Sequence, residues 1–252
     1  MFAKTMKPQP SPSPCFFFAT APLPCPYHPD RTERRVVTEL LKGGNEALHA
    51  ALFQAGFRRS HNIAYVPACP NCQACIAVRT VVSGFTPSRS HKRVLKRNAD
   101  VLAVEKAAVA TAEQFDLFTD YLRTRHRDGD MAKMDSVDYK TLIEETVVDT
   151  AVVEFRDPGG RLVGACLTDR LGDGLSAVYS FFATDLPRRS LGIYMILWLV
   201  ERARLLELPY VYLGYWISDV AKMSYKSQFH PAEIYTAEGW RPLADAEGND
   251  GT

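Results

Sequence analysis

Charge of one sign is what this sequence lacks: 30 lysines and arginines stand against 29 aspartates and glutamates, a net +1 with histidine neutral. No global field therefore draws the chain onto DNA or an anionic membrane, and a polyanionic partner has to be met by a local patch. Cysteine is scarce as well, six in 252 residues, too few for a disulfide scaffold. No apolar run is long enough to span a bilayer, and no secretory signal is visible. These absences point to a cytoplasmic chain held reduced, with neither membrane nor DNA as partner, in which clustered cysteines are metal ligands, catalytic or simply buried. Apolar material is ample: 46% of residues are hydrophobic, enough for one large core or two small ones.

The opening segment MFAKTMKPQPSPSP is rich in proline and serine and neither holds a helix nor packs much apolar surface, so residues 1–24 are expected as a flexible arm. In RTERRVVTELL the apolar Val36, Val37, Leu40 and Leu41 recur at helical spacing, which predicts a helix. NEALHAALFQAGF predicts another, with Asn45 as N-cap and Gly56 as its stop. The chain then runs through YVPACPNCQACIAVRT, where Cys69, Cys72 and Cys75 form two overlapping C-x-x-C units, into an alternating strand ending at Gly84 and Phe85. Three thiolates fall short of the four ligands that a closed zinc site or an iron–sulfur cluster takes. On spacing alone, metal binding and plain packing both stay open.

TPSRSHKRVLKRNAD carries the clearest charge pattern. On a helix, Arg89, Lys92, Arg93, Lys96 and Arg97 stand at i, i+3, i+4, i+7 and i+8, so all five cations share one face. No acid relieves their repulsion before Asp100, whereas a solvated helix face ordinarily alternates sign. A phosphate backbone is the natural counter-ion for such a stripe.

Beyond it, TAEQFDLFTDYLRTRHRDGDM predicts an amphipathic helix that turns Phe115, Phe118, Tyr121 and Leu122 inward and stops at Gly129, and SVDYKTLIEET a short helix capped by Ser136. From Thr150 the pattern changes to AVVEFRD, RLVGACLTDRL and LSAVYSFFA, three strands separated by PGG and GDG turns. A long helix, LPRRSLGIYMILWLVERARLLEL, and a buried strand, YVYLGYWI, follow. Strands, helix and strand in that order make an acetyltransferase-like (GNAT) core. The expected fold is α+β, with that core at residues 111–240, a smaller cysteine-containing α+β region at 25–110, and a flexible tail at 241–252. In such a core the loop before the long helix carries R-x-x-G-x-G/A, whose backbone N–H groups hold the pyrophosphate of coenzyme A. Here it reads Arg189-Ser190-Leu191-Gly192-Ile193-Tyr194. Tyr194 replaces the small residue, which disfavours a small-molecule N-acetyltransferase. A non-enzymatic RNA-binding module built on the cysteines and the basic stripe would leave the C-terminal half without a role.

Five blocks, GFRRSHNIAYVPACPNCQACIAVR, PSRSHKRVLKRN, DGLSAVYSFF, RSLGIYMILW and LPYVYLGYWISDVAKMSYKSQFHPAE, resemble those of the aminoacyl-tRNA–protein transferases. Within that family they resemble the bacterial aspartate/glutamate leucyltransferases, relatives of the eukaryotic arginyltransferases. The resemblance spans residues 25–240. It departs from the family pattern in CPYHPDR and SFFATDL, at His28, Asp30, Ala183 and Thr184.

The resemblance implies transfer of leucine from leucyl-tRNA, or alternatively arginine from arginyl-tRNA, to the α-amine of proteins that begin with Asp or Glu, a mark for N-degron degradation. The aminoacyl ester is already activated, so the chemistry requires no cofactor, neither ATP nor coenzyme A. An α-amine with a pKa of about 7.7–8.0 is roughly one-third neutral at about pH 7.5, so it needs positioning more than deprotonation. The other tasks are to neutralise the acceptor's carboxylate, stabilise the tetrahedral oxyanion and return a proton to the leaving ribose oxygen. For these, the resemblance and the position after the last strand single out Tyr215, Trp216, Lys222, Tyr225 and Lys226, the lysines on one face of an expected helix, together with Tyr179. Arg58, Arg59, Ser60, Arg189, Ser190 and Gly192 are the expected substrate-binding residues, and Arg89, Lys92, Arg93, Lys96 and Arg97 the tRNA-binding ones. The family pairs an early cysteine with the later three. Cys25 thus joins Cys69, Cys72 and Cys75 as ligands of a zinc ion or iron–sulfur cluster, with reduced packing cysteines as the alternative.

Overall fold

A computed structural model gives the architecture and describes residues 15–41, 46–127 and 129–244. Its first elements are β1 (Phe18–Ala19), β2 (Leu23–Pro24), β3 (Thr32–Glu33), β4 (Arg35–Glu39), α1 (Glu46–Gln54), β5 (Arg58–Ser60) and β6 (Ile63–Pro67). They build a four-stranded sheet of order β1-β4-β6-β5 beside the small β2-β3 hairpin. Phe18 pairs with Val37, so the second half of the expected arm is a sheet edge; residues 1–14 lie outside the described ones. RTERRVVTELL is a strand, not the expected helix. Val36, Val37 and Thr38 are β-branched and suit a pleated surface, and β6 offers an antiparallel ladder in which Val36 faces Val66 and Thr38 faces Ala64. α1 forms as expected and is followed by Gly56 at φ +81; the Asn45 cap lies outside the described residues.

The chain continues through β7 (Ile76–Val81), α2 (Arg89–Arg97), β8 (Leu102–Ala107), α3 (Ala112–Arg125), α4 (Ser136–Glu144), β9 (Thr150–Arg156), β10 (Leu162–Leu171), β11 (Gly174–Phe182), α5 (Leu191–Leu205), β12 (Tyr210–Trp216), β13 (Ala232–Thr236) and β14 (Gly239–Pro242). These strands make one eight-stranded sheet, β14-β13-β7-β12-β11-β10-β9-β8. β7 and β8, expected in a separate N-terminal region, therefore share a sheet with the strands beyond residue 111. Leu243, in the expected tail, is fully buried.

Helices cover both faces. Phe118, Tyr121 and Leu122 of α3 with Tyr139, Leu142 and Ile143 of α4 pack on Val152, Ala165, Leu167 and Phe181. Leu191, Met195, Leu199 and Ala203 of α5 and Val94 of α2 share a second cluster with Val153, Phe155 and Val163. That double cover explains why β9 and β10 read as near-continuous apolar runs. The cap of α4 is Asp135 and not Ser136: its carboxylate accepts from the N–H groups of Val137 and Asp138, while Asp138 answers on the N–H of Asp135. A negative cap also suits the helix dipole.

Two features position the site. β11 and β12 are parallel, but pairing covers Gly174–Ser176 against Tyr210–Tyr212 and goes no further. β11 stays with β10 as far as Phe182, and β12 stays with β7 as far as Trp216. The sheet consequently parts between them. The second feature joins the two sheets: Arg59 of β5 lays one edge of its guanidinium, Nε and Nη2, on Asp169 of β10 at 2.6 and 2.7 Å, with Thr150 donating to the same carboxylate. No helix among the described residues is long and apolar enough to cross a membrane.

Candidate active site

Three phenols gather where the sheet parts. Tyr179 stands on β11, Tyr121 on α3, and Tyr225 on the 3-10 turn Ser224–Gln228 that follows β12; Tyr121 lies within electrostatic range of each of the other two. Burial pushes all three upward, Tyr225 to about 12, so each keeps its proton near neutrality and can donate a hydrogen bond. The Tyr121 hydroxyl lies 3.4 Å from His126 Nε2. Burial first, then the charges of Lys222 and Arg125, hold that imidazole below its ordinary value. Sequence pattern assigns Tyr121 to packing and does not single out His126. The one signal it offers is a histidine closing an amphipathic helix, at the C-cap position.

Lys222 and Lys226 do not share a helix face. Lys226 lies on the 3-10 turn Ser224–Gln228 and Lys222 in the chain before it, so no α-helix carries the two. Lys222 is exposed, whereas Lys226 is 8% exposed and donates to the carbonyl of Tyr215 at 2.5 Å. Burial, reinforced by Arg58, draws the Lys226 ammonium down to about 8. Gly214 takes φ +80, a left-handed conformation that favours glycine, and lies at the irregularity of β12 between Tyr212 and Tyr215, next to the carbonyl that Lys226 reaches.

Tyr215 turns away from the parted strands. Its hydroxyl is shared between the carbonyls of Gly56 and Tyr65, at 3.1 and 3.0 Å, which makes it a tie to the smaller sheet and not a free acid. Trp216 is buried in the cluster that contains α5. Arg58 is 5% exposed and lies over the rings of Phe53, Tyr212 and Tyr215; Nη1 donates to the Phe57 carbonyl, while Nε and Nη2 have no partner among the described residues. Arg59 is consumed by Asp169 and cannot reach a substrate. The Ser60 hydroxyl meets Nδ1 of His61 at 3.1 Å.

At the start of α5, Arg189 is bidentate to Asp100 at 2.7 and 2.8 Å, so its charge is already matched. Ser190 takes the left-handed conformation at φ 52 and its carbonyl receives the N–H groups of Ile193 and Tyr194. Gly192 permits a close approach to the end of β11, since a Cβ would meet the Phe182 ring at 3.0 Å. Tyr194 points into the core, edge-on to Phe155 with its hydroxyl 3.5 Å from the Val101 carbonyl. It therefore does not crowd the helix N-terminus, and its bulk does not weigh against coenzyme A.

The basic stripe forms on α2 as expected. Ser88 caps the helix, His91 and Val94 turn inward, and Arg89, Lys92, Arg93, Lys96 and Arg97 are exposed. Among the described residues the first four form no ion pair, while Arg97 donates to the Arg188 carbonyl at 3.1 Å. Asn98 donates to the carbonyls of Val94 and Arg189. The stripe is thereby fastened to the start of α5, and through Gly192 and Phe182 to the mouth of the parted strands.

The cysteines meet in one neighbourhood. Burial first, then Cys25, Cys69 and Cys72, raises the Cys75 thiol to about 11. Cys72 accepts from Arg31 at 3.2 Å and is lowered by the Ala74 N–H and by that arginine; Cys69 contacts the backbone of Arg34. All four are half-buried and free, though among the described residues no three His, Cys, Asp or Glu side chains stand at chelating separation. Four soft thiols with this mutual influence fit zinc or an iron–sulfur cluster by donor type.

Two family models cover the chain: "Arginine-tRNA-protein transferase, N terminus" matches residues 23–93, and "Arginine-tRNA-protein transferase, C terminus" matches residues 113–236. The aspartate/glutamate leucyltransferase of Paramagnetospirillum magneticum is 53% identical over 235 residues, covering 93% of this chain and 96% of its own. That of Gluconacetobacter diazotrophicus is 53% identical over 230 residues, 91% and 88% of the two chains. Among solved structures, the C-terminal domain of a putative lysylphosphatidylglycerol synthetase from Agrobacterium fabrum covers 82% of this chain and 79% of its own at 11% identity with a TM-score of 0.48, too loose a likeness to bear on function.

The buried ammonium has a consequence for stability. Unfolded, Lys226 keeps its proton up to its ordinary value of 10.5; folded, it releases it near about 8. Between those values the unfolded chain binds more protons, so stability rises with pH across that window. Urea unfolding should show the natural protein gaining on Lys226→Met across it. Parallel profiles for the two proteins would mean that the ammonium is hydrated.

Proposed function

The chain belongs to the aminoacyl-tRNA–protein transferases, and we infer that it joins leucine from leucyl-tRNA to the α-amine of proteins beginning with Asp or Glu. The observation that carries this reading is 53% identity to aspartate/glutamate leucyltransferases across nine-tenths of the chain. Such a mark would commit the acceptor to N-degron degradation. The parting of β11 and β12 near the start of α5 suits the expected acetyltransferase-like core and would supply the gap in which two substrates meet.

The stripe on α2 takes the phosphates of the tRNA and leads its 3′ end past the start of α5 into that gap. There the amine nitrogen attacks the leucyl carbonyl, a tetrahedral oxyanion forms, and collapse breaks the ester bond to ribose. The proton given up by the amine ends on the departing ribose oxygen. Tyr179 and Tyr225, whose hydroxyls meet no partner among the described residues, are suited to donate to the oxyanion. His126, drawn below its ordinary value and beside Tyr121, is suited to carry the proton. Cys25, Cys69, Cys72 and Cys75 would hold zinc or an iron–sulfur cluster; when bound, it would serve as a staple between the β2–β3 hairpin and the entry to β7.

Three measurements check these assignments. A transfer assay offering leucyl- and arginyl-tRNA to peptides starting with Asp, Glu and Ala should give leucyl-Asp and leucyl-Glu products without ATP; arginine in preference to leucine would correct the donor, and no product from folded protein would sink the reading. Neutralising Lys92, Arg93, Lys96 and Arg97 together should weaken all tRNAs alike and flatten the salt dependence, by about 0.9 in slope for each duplex phosphate that the protein no longer neutralises; an unchanged slope makes the stripe mere solvated surface. Anaerobically purified protein should carry zinc or iron that Cys72→Ser with Cys75→Ser abolishes, and metal-free protein with full activity would leave the metal without a role.

A further inference from the structure

The end of α2 and the turn before α5 are tied from both sides. Arg97 Nη1 donates to the Arg188 carbonyl at 3.1 Å, Arg189 Nη1 donates to the Arg97 carbonyl at 3.4 Å, and Arg189 is bidentate to Asp100. Between them lies Asn98, fully buried, whose Nδ2 donates to the carbonyls of Val94 and Arg189 at 2.9 and 2.8 Å. The Val94 carbonyl also receives the backbone N–H of Asn98 at 3.2 Å, so what the side chain alone supplies is the bond to Arg189.

That bond falls on one particular peptide. Its carbonyl is held by Asn98, and its N–H, that of Ser190, donates to the Pro187 carbonyl at 3.4 Å. Ser190 then takes the left-handed conformation at φ 52, a strained choice for a residue with a Cβ, and opens α5 without a side-chain cap. One peptide plane thereby sets the direction in which α5 leaves. On the first turn of that helix Gly192 stands against the ring of Phe182, the last residue of β11.

Packing does not explain the asparagine. Its Oδ1 is buried with no partner among the described residues, and an orphaned acceptor carries a cost that an apolar side chain in the same place avoids. His91 and Val94 already seat α2, and Arg189 with Asp100 already joins it to α5. What the amide adds is direction, a bond that aims one carbonyl and so holds a strained turn in place. The exposed cations of α2 lie at one end of this connection, and Tyr179, on the strand that Phe182 ends, lies at the other.

Resting on the leucyltransferase reading above, we propose that Asn98 is a positioning residue for leucyl transfer: it fixes the Arg189–Ser190 peptide, and with it the distance and angle between a tRNA on α2 and the gap where β11 and β12 part. Phosphate contacts hold the tRNA, and Asn98 makes that hold deliver the 3′ ester to the acceptor amine. The residue itself touches neither substrate.

The test measures single-turnover transfer from leucyl-tRNA to an Asp-initiated peptide by the natural protein and by Asn98→Ala, with enzyme raised in excess until the rate saturates. The saturated rate should fall by about 10- to 100-fold, the effect of a small misplacement of reacting groups. The affinity for tRNA and its salt dependence should stay as they are. A purely structural role gives a different result, since a smaller folded fraction raises the enzyme concentration needed for saturation and leaves the saturated rate alone. A natural saturated rate therefore overturns the proposal, and so does a slower rate accompanied by weakened tRNA binding. Should Asn98→Ala not fold, Asn98→Leu, which keeps the shape of the side chain and leaves no orphaned acceptor on it, decides by the same measurements. Absence of leucine transfer by the natural protein overturns the leucyltransferase reading instead, so the two failures are told apart.

Discussion

The parallel ladder between β11 and β12 holds three residues from each strand and then stops, because each strand follows its antiparallel neighbour instead. Helices cover both faces of the sheet, and where the pairing fails Tyr179 of β11 stands near Tyr121 of α3 and Tyr225 of the turn after β12. α5 begins at the end of β11 and brings its N-terminus with it. The turn after β12 folds back and brings Tyr225 within range of Tyr121, while Lys226 Nζ returns to the backbone of β12 at the Tyr215 carbonyl.

Charge is distributed by partner. A net of +1 hides three populations of basic residues. Those on α2 are exposed and unmatched, which water tolerates and a polyanion exploits. Arg59 and Arg189 are matched by acids and hold the architecture: the first joins the two sheets, the second ties α5 to the end of α2. Arg58 and Lys226 are buried and form no ion pair among the described residues: Arg58 lies over the rings of Phe53, Tyr212 and Tyr215, and Lys226 donates to the Tyr215 carbonyl.

Much of the fold is legible in the sequence. β9 to β11 and α5 announce themselves through PGG and GDG turns and long apolar periods, and α2 through its spacing of cations. The failures have physical causes. Val36, Val37, Leu40 and Leu41 fit a helix by spacing, but the β-branched run and a waiting partner strand decide for β4. Two lysines four residues apart fit a helix face, yet Lys226 lies on a 3-10 turn and Lys222 in the chain before it. Asp169 stands 110 residues from Arg59 and Asp100 stands 89 from Arg189, so nothing local reveals that these arginines are already occupied. Tyr194 looks like an obstacle in the loop, whereas its side chain belongs to the core. The unmatched state of Arg58 is likewise invisible without the burial of its neighbours.

If the aminoacyl ester sits where β11 and β12 part, a crystal structure with a non-hydrolysable 3′-leucylamido adenosine shows it directly. The leucyl carbonyl oxygen should lie within hydrogen-bond distance of the Tyr179 or Tyr225 hydroxyl, with the adenosine leading out past Gly192 toward α2. The same compound bound outside that gap, with both phenols untouched, would contradict it.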